Sequence, residues 1–380
     1  MKDAKGFVQL AEQELPQITN TAQVEQVREL LGCPHPVERD RDGPNDLRGT
    51  RIDSLIWAVR ALRTETLGFR FKYPIDIDAA AGPKDSLHYY IYSDSLSWTA
   101  LRLDARGIAQ CVYPTTGTVY RPAFVAWYGL INLGHFLRRQ DQKNLQIFLN
   151  QVDWLERNAI LRDDGTLVWP HTFDCKEGYT LLKAPWISAN AQGLVISALI
   201  RGWRFTRRSQ LLELVKASAK IFEIEVAQGG LREVVDGNLL YTELRGRAIL
   251  DHFLTALLGL YDLFVETGNG IVGKMFTQGI EGLKAMLPTW DYRHKWSWYG
   301  SHGYLCPPAY HCCNRVLLSV LARLSNDPLL ADYAESWNPD SLSTAARLEV
   351  FLGFLWTKNA CRFKYKTWRL KRIRASGISV

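Results

Sequence analysis

Gly193-Leu194-Val195-Ile196-Ser197-Ala198-Leu199-Ile200 decides the fold. Two helical turns pass here without a charge on any face, so a helix at this point is buried all round. Residues 211–224, just downstream, are apolar on one face only. The same pairing recurs at Phe253-Leu254-Thr255-Ala256-Leu257-Leu258-Gly259-Leu260, which is again uncharged and is followed by a mixed stretch. Four such pairs can be read: 122–139 with 142–158, 189–205 with 209–227, 248–267 with 270–287, and 310–324 with 328–337. A further helix is expected over 343–356. Helices buried on every side that alternate with helices buried on one side form an inner ring within an outer ring. The expected fold is mainly α: an incomplete (α/α) toroid of about four helical hairpins over 120–357.

Outside that region the pattern changes. Residues 1–65 carry short helical patterns (8–15, 23–31 and 54–63) around a polar breaker. Over 66–119 the period becomes alternation, with strands expected at Phe69-Arg70-Phe71-Lys72-Tyr73, at Leu87-His88-Tyr89-Tyr90-Ile91-Tyr92 and at Leu101-Arg102-Leu103. Turn signals at Ala81-Gly82-Pro83 and Arg106-Gly107 make this a small β layer. The last region, 358–380, holds eight lysines and arginines and no acid. The whole chain carries +7, so the remainder is close to −1 and the basic character belongs to the tail. Such a tail suits an anionic polymer, a membrane surface or a nucleic acid; a solvated extension is the plainer reading.

Seven cysteines, unpaired in pattern apart from Cys312-Cys313, do not form a disulfide framework. No apolar run reaches the ~18 residues of a membrane span, and the first residues lack the apolar core of a secretory leader. A cytoplasmic location is expected, with peripheral membrane contact through the basic tail.

In a toroid the inner helices run parallel, so the segments that lead into them converge on one rim. Those segments, 113–121, 163–188, 231–247 and 289–310, are the longest connections in the domain, and long ordered loops are where binding residues collect. They gather Tyr113, Tyr120 and Arg121; Trp169, His171, Tyr179 and Trp186; Glu233, Tyr241, Glu243, Arg245 and Arg247; and Trp298, Tyr299, His302, Tyr310 and His311. Flat aromatic faces beside hydroxyls and imidazoles suit a sugar. Gly-rich phosphate loops, the Gly-x-Ser-x-Gly elbow and the His-Glu-x-x-His pair are all missing, which argues against a nucleotide site or a serine nucleophile. His294, His302, Cys306, His311, Cys312 and Cys313 lie close in sequence but match no tetrahedral zinc spacing; no metal and no cofactor are expected. Paired carboxylates for a glycosidase do not stand out from capping or surface roles. A phenol suits a site that both takes and returns a proton at carbon.

The segment Leu250-Asp251-His252-Phe253 through Leu258-Gly259-Leu260-Tyr261-Asp262-Leu263, then Glu266-Thr267 and Gly282-Leu283-Lys284-Ala285-Met286-Leu287-Pro288, resembles the C-terminal domain of D-glucuronyl C5-epimerases. The resemblance spans about 112–337. It takes in Tyr128-Gly129-Leu130, the turn at 165–170, and Trp186-Ile187-Ser188-Ala189-Asn190-Ala191-Gln192-Gly193. It implies that the family's active-site tyrosines fall on Tyr241, Tyr299 and Tyr310, with His311 following as in the family. Leu240 stands where the family has an acidic residue, and Glu243 lies two positions beyond Tyr241.

The resemblance implies C5 epimerisation of D-glucuronate to L-iduronate in a heparosan-like polysaccharide. Proton exchange would run through Tyr241 or Glu243 on one face and Tyr310 on the other, with Tyr299 holding the enediolate. Arg245, Arg247 or Arg315, assisted by His311, would neutralise the carboxylate. Trp186 and Trp298 would stack on sugar rings, and Tyr120, Arg121, Trp169 and His302 would complete the substrate surface. The partner expected is an anionic uronate polysaccharide, not a nucleic acid, and the family implies a homodimer. A uronate lyase, a hydrolase on the same scaffold and a non-catalytic glycan-binding protein are the alternatives.

Overall fold

The computed structural model describes residue 59 and residues 62–82, 86–93, 101–113, 117–177, 180–300 and 303–375. Of the expected N-terminal helices, those at 8–15 and 23–31 and most of that at 54–63 lie outside the described residues.

The inner ring consists of α1 (Pro122–Arg139), α3 (Ala189–Thr206), α5 (Leu250–Thr267) and α7 (Pro308–Ser325). The outer ring consists of α2 (Gln142–Arg157), α4 (Ser209–Ser218), α6 (Gly270–Trp290) and α8 (Pro328–Ser336). Inner helices pack side by side in chain order, α1 on α3, α3 on α5 and α5 on α7, and each outer helix lies against the inner helix that precedes it. Burial follows the sequence pattern: α3 is buried from Ala191 through Gly202, whereas α4 buries Leu211, Val215 and Ser218.

Each inner helix ends in the same way. Gln140, Arg207, Gly268 and Asn326 adopt left-handed backbone with φ of 56°, 59°, 65° and 51°, which stops the helix and reverses the chain. One residue later the outer helix begins. Asp141, Asn269 and Asp327 cap three of these starts by accepting hydrogen bonds from first-turn N–H groups. The inner helices begin without any side-chain cap, after Arg121, Ser188, Ile249 and Pro307.

The closest approach in the ring is between α3 and α5. A Cβ on Gly193 would meet the Thr255 carbonyl at 2.3 Å, and one on Gly259 would meet the Gly193 carbonyl at 2.5 Å. The two backbones therefore touch, and nothing larger than hydrogen fits between them. At the far end of the same helices the Arg201 guanidinium donates to Asp262 at 2.7 Å, Tyr90 Oη donates to Asp262 at 2.7 Å, and all three side chains are buried.

Small antiparallel hairpins sit before the inner helices. β3 (Leu101–Leu103), β4 (Ala109–Tyr113) and β5 (Gly117–Val119) precede α1, and β6 (Ile160–Leu161), β7 (Leu167–Val168), β8 (Cys175–Glu177) and β9 (Thr180–Leu182) precede α3. β10 (Arg232–Val235) and β11 (Asn238–Tyr241) precede α5; β12 (Asp291–Tyr292) and β13 (Trp296–Ser297) precede α7. β1 (Ile75–Ile77) and β2 (Ile91–Ser93) pair with Ile75 opposite Ser93 and Ile77 opposite Ile91. β1 packs on α7 and β2 on α1, so this hairpin stands between the first and last inner helices and closes the ring.

Three expectations need correction, the first being the strand at 87–92, which is confined to Ile91–Ser93. Residues 69–73 are irregular, not a strand. Phe69 and Phe71 turn their rings onto Trp296, at 6.3 and 5.8 Å, because burial in that aromatic cluster replaces strand pairing. The last helix, α9 (Thr344–Ala375), does not stop at residue 356 but carries the basic stretch with it. No glycine or proline interrupts the sequence between Gly353 and Gly377, so nothing there ends a helix.

Candidate active site at the inner-helix rim

The four uncapped inner-helix N-termini open toward the rim, and the hairpins before them hold the polar side chains. The loop after β11 turns inward at Glu243, whose side chain is 4% exposed. Its Oε1 lies 2.6 Å from His252 Nδ1, in the first turn of α5, and its Oε2 accepts from the Ala189 N–H of α3 at 3.2 Å. Glu243 thus does for α3 what a cap does elsewhere, from across the interface between two helices. Burial opposes its ionisation, yet the charge and hydrogen bond of His252 and the Ala189 N–H hold its pKa below the ordinary carboxylate value.

Asp251, the neighbour of His252, is also buried, and its Oδ1 has no hydrogen-bond partner among the described residues. Burial raises its pKa, only partly offset by His252. Two carboxyl groups side by side are therefore driven apart, one toward the ionised form and one toward the acid.

His171 faces the same region from the segment before α3. Its backbone pairs with Trp186, whose indole stacks on the imidazole at 3.9 Å and 7°. The ring is fully buried, Nε2 has no hydrogen-bond partner, and burial followed by the nearby Arg121 charge pushes its pKa well below the ordinary value. Ser188 Oγ and Asn190 Oδ1, at the start of α3, are likewise buried without hydrogen bonds among the described residues. Asp251, His171, Ser188 and Asn190 thus bring four unsatisfied buried polar atoms to the rim, where a ligand is able to complete the bonding.

The loop between β13 and α7 supplies the opposite wall. Gly300 pairs with Ile249, immediately before α5, and this draws the loop onto the Glu243–His252 segment. Tyr299 stacks on Tyr304 at 5.2 Å and meets the Tyr310 ring edge-on at 5.9 Å; both Tyr299 and Tyr310 are half-buried. Asp251 is close enough to α7 and the segment before it for its charge to raise the pKa of Cys306 and Cys313, after burial itself.

Other predicted residues lie elsewhere. Tyr241 is 1% exposed, with its hydroxyl donated to the Met275 carbonyl of α6 at 2.9 Å and its ring between Phe222 and Phe253. At the end of β11 it sits on the strand face that packs on α6, where Gly279 leaves room for the ring, and this takes it away from the rim. His311 is fully buried: Nδ1 accepts from Ser297 N at 3.1 Å and Nε2 donates to the Trp337 carbonyl at 2.9 Å. Both nitrogens are used inside the protein, and burial depresses the pKa to about 3.

Trp169 is core, its indole N–H bonded to the Leu155 carbonyl. Tyr120 stacks on Trp154 and donates to Asp104; burial and that hydrogen bond raise its pKa to about 12. Trp298 is half-buried with its indole N–H on the Asp291 carbonyl. Arg245 is exposed, and Arg247 and Arg315 are half-buried. His302 and Tyr179 lie outside the described residues. His252 and Asp251 were missed as site residues, although two polar side chains opening an otherwise apolar helix were the available signal. Among the described residues no group of three or more His, Cys, Asp and Glu is arranged to hold a metal ion, and Cys306, Cys312 and Cys313 are free thiols.

Beside this geometry stand the comparisons with known proteins. Residues 162–339, which include Glu243, His252, Tyr299 and Tyr310, match the family model described as D-glucuronyl C5-epimerase C-terminus. The resemblance to that family thus holds over this region. A D-glucuronyl C5-epimerase of Caenorhabditis elegans is 27% identical over 230 residues, which is 55% of this chain and 37% of that protein. An uncharacterised protein of Methanocaldococcus jannaschii is 25% identical over 178 residues, covering 45% of this chain and 57% of that one. The chain thus spans between about a third and three-fifths of the curated relatives it matches. Among solved structures, a GH76 α-mannanase of Bacteroides thetaiotaomicron aligns with a TM-score of 0.43 at 10% identity, over 73% of this chain and 78% of that one. A D-mannose isomerase aligns with a TM-score of 0.39 at 11% identity, over 77% and 70%.

Proposed function

We propose that this chain inverts C5 of a uronate residue within an anionic polysaccharide, converting D-glucuronate to L-iduronate in a heparosan-like polymer. The observation that best supports the reading is the pairing of Gly300 with Ile249, which draws the loop carrying Tyr299 toward the segment between Glu243 and His252. In this reading proton-transfer groups from the two loops flank one sugar.

The chemistry has two steps. Glu243 takes the C5 proton, and the electron pair of the C–H bond moves into the carboxyl group to form an enediolate. Tyr310 then gives its phenol proton to C5 from the other face. Glu243 and Tyr310 exchange with water to reset. The enediolate carries a second negative charge, and the inner-helix N-termini, with their positive dipole ends, favour it there. Arg121, at the start of α1, adds a full positive charge to the same rim, and Tyr299 donates to the enediolate. Trp298 and Arg247 would contact neighbouring sugars. Tyr241 supports β11 against α6 in this scheme instead of exchanging protons.

Incubation with heparosan in heavy water tests the reading: deuterium should enter C5. Tyr310→Phe should lower the exchange rate by about 10²-fold or more while the melting temperature is kept. Exchange by the variant at the parental rate removes Tyr310 from the mechanism, and an absence of exchange by the parent on any uronate polymer removes the epimerase reading. Unsaturated products absorbing in the ultraviolet would indicate a lyase.

A further inference from the structure

The exposed face of α9 is the largest feature that the site leaves unexplained. One side of this helix packs on the body through Val350, Phe354 and Cys361, all buried. On the other side Leu348, Leu352 and Trp356 are 57%, 53% and 77% exposed. They are spaced four residues apart, so they form one stripe along the helix. In the sequence the heptad step from Trp356 continues to Phe363 and Leu370, while Lys358, Arg362, Lys364, Lys366, Arg369, Lys371, Arg372 and Arg374 fill positions around them. The one acid of α9, Glu349, is spent on Arg293 and Lys295 of the body.

We infer that α9 docks on an anionic lipid bilayer surface. Aliphatic side chains and a tryptophan along one stripe, followed by a run of cations without acids, fit the boundary between acyl chains and negative headgroups. The charge complementarity selects anionic over neutral lipid. The apolar stripe selects a bilayer over a polysaccharide, because a sugar polymer offers Leu348 and Leu352 no apolar phase to enter. No helix among the described residues is long and apolar enough to cross a membrane, so the contact is peripheral. Its position has a use. Lys358 Nζ lies 4.1 Å over the Tyr304 ring, which stacks on Tyr299, and Leu305 N–H is bonded to Thr357 Oγ1. A docked α9 therefore holds the rim next to the membrane surface, where a polymer is met as it emerges from a lipid-borne or membrane-bound source.

Flotation of the full chain with vesicles tests this, using phosphatidylglycerol–phosphatidylcholine mixtures beside pure phosphatidylcholine. The protein should float with the mixed vesicles and not with the neutral ones. The triple variant Leu348→Ser, Leu352→Ser, Trp356→Ser should lower the bound fraction about tenfold or more. The inference is overturned if the parent stays with the soluble fraction, if it binds both vesicle types equally, or if the triple variant binds as the parent does. It is also overturned if the stripe variant instead converts a dimer of this chain to a monomer without changing flotation. Circular dichroism of the variant checks its fold, and the second variant Arg369→Gln, Lys371→Gln, Arg372→Gln should also lower binding to the mixed vesicles; unchanged binding by it removes the charge part of the inference. Because the assay needs no turnover, its failure is separate from failure of the epimerase reading.

Discussion

Asp251 and Glu243 reach the same buried space with opposite preferences, and His252 sits between those preferences. If Glu243 is the group that takes the C5 proton, it must be ionised, so activity falls as pH drops through its pKa, which lies below the ordinary glutamate value. Removal of the imidazole leaves burial unopposed and the carboxyl harder to ionise. His252→Asn should therefore move the acid limb of kcat/KM upward by about one to three pH units. A profile that superposes on the parent would show that Glu243 does not take part. Asp251 bears on stability in the other sense. Its raised pKa makes its contribution fully present below about pH 4 and lost as pH rises through the native value.

His311 gives a cleaner measurement. The unfolded chain protonates this histidine near pH 6.5, whereas the native ring stays neutral down to about 3. Stability therefore falls as pH decreases from about 6.5, by about 1.4 kcal/mol per unit. In His311→Gln the dependence of unfolding free energy on pH between 6 and 4 should be shallower by that amount, read from urea titrations. An unchanged slope would mean that the native ring does take up a proton.

At the scale of elements, the α3–α5 contact sets the site, because it fixes how far Ala189 stands from Glu243 and His252. Gly193→Ala places a methyl group on the Thr255 carbonyl and should cost about 1–3 kcal/mol with loss of activity beyond the loss of folded protein. A fully active, equally stable variant would show that the two helices do not approach as described.

The inner helices were legible in the sequence because burial on all sides leaves an uncharged run such as 193–200. Two of their ends were legible as well, since Gly268-Asn269 and Asn326-Asp327 are stop-and-start signals; Gln140 and Arg207 take the same backbone shape without announcing it. Tyr241 was not legible. Which face of β11 looks inward depends on how the hairpin lies on Gly279 and Gly282 of α6, a tertiary contact that leaves no local trace. His252 was hidden for the opposite reason, since a polar pair in an apolar helix reads as easily as a satisfied core group as a ligand-facing one. His311 looked like a binding residue because its partners, Ser297 and the Trp337 carbonyl, are remote or not side chains at all.

For the whole molecule, the end of the ring opposite the site is held by charge. Arg201 and Asp262 are buried, and the pair is completed by Tyr90 and by the His88 carbonyl, which accepts from Arg201 at 3.2 and 3.3 Å. Asp262→Ala strands a guanidinium in the core and should cost about 3–5 kcal/mol, measured by thermal or denaturant unfolding; a cost below about 1 kcal/mol would mean that water reaches Arg201. The same contacts tie the segment before β2 to α3 and α5, so the N-terminal strands are part of the toroid and not an appendage.

The β1–β2 hairpin touches both α1 and α7, and this imposes an order of assembly. During synthesis the hairpin is made early, but one of its two docking surfaces does not exist until residue 325 has left the ribosome. Until then the hairpin has only α1 to dock on. Contacts so far apart in sequence close slowly. A ribosome-bound chain ending short of α7 should remain open to protease at residues 75–93, and protection should arrive in a single step once that helix is free to fold.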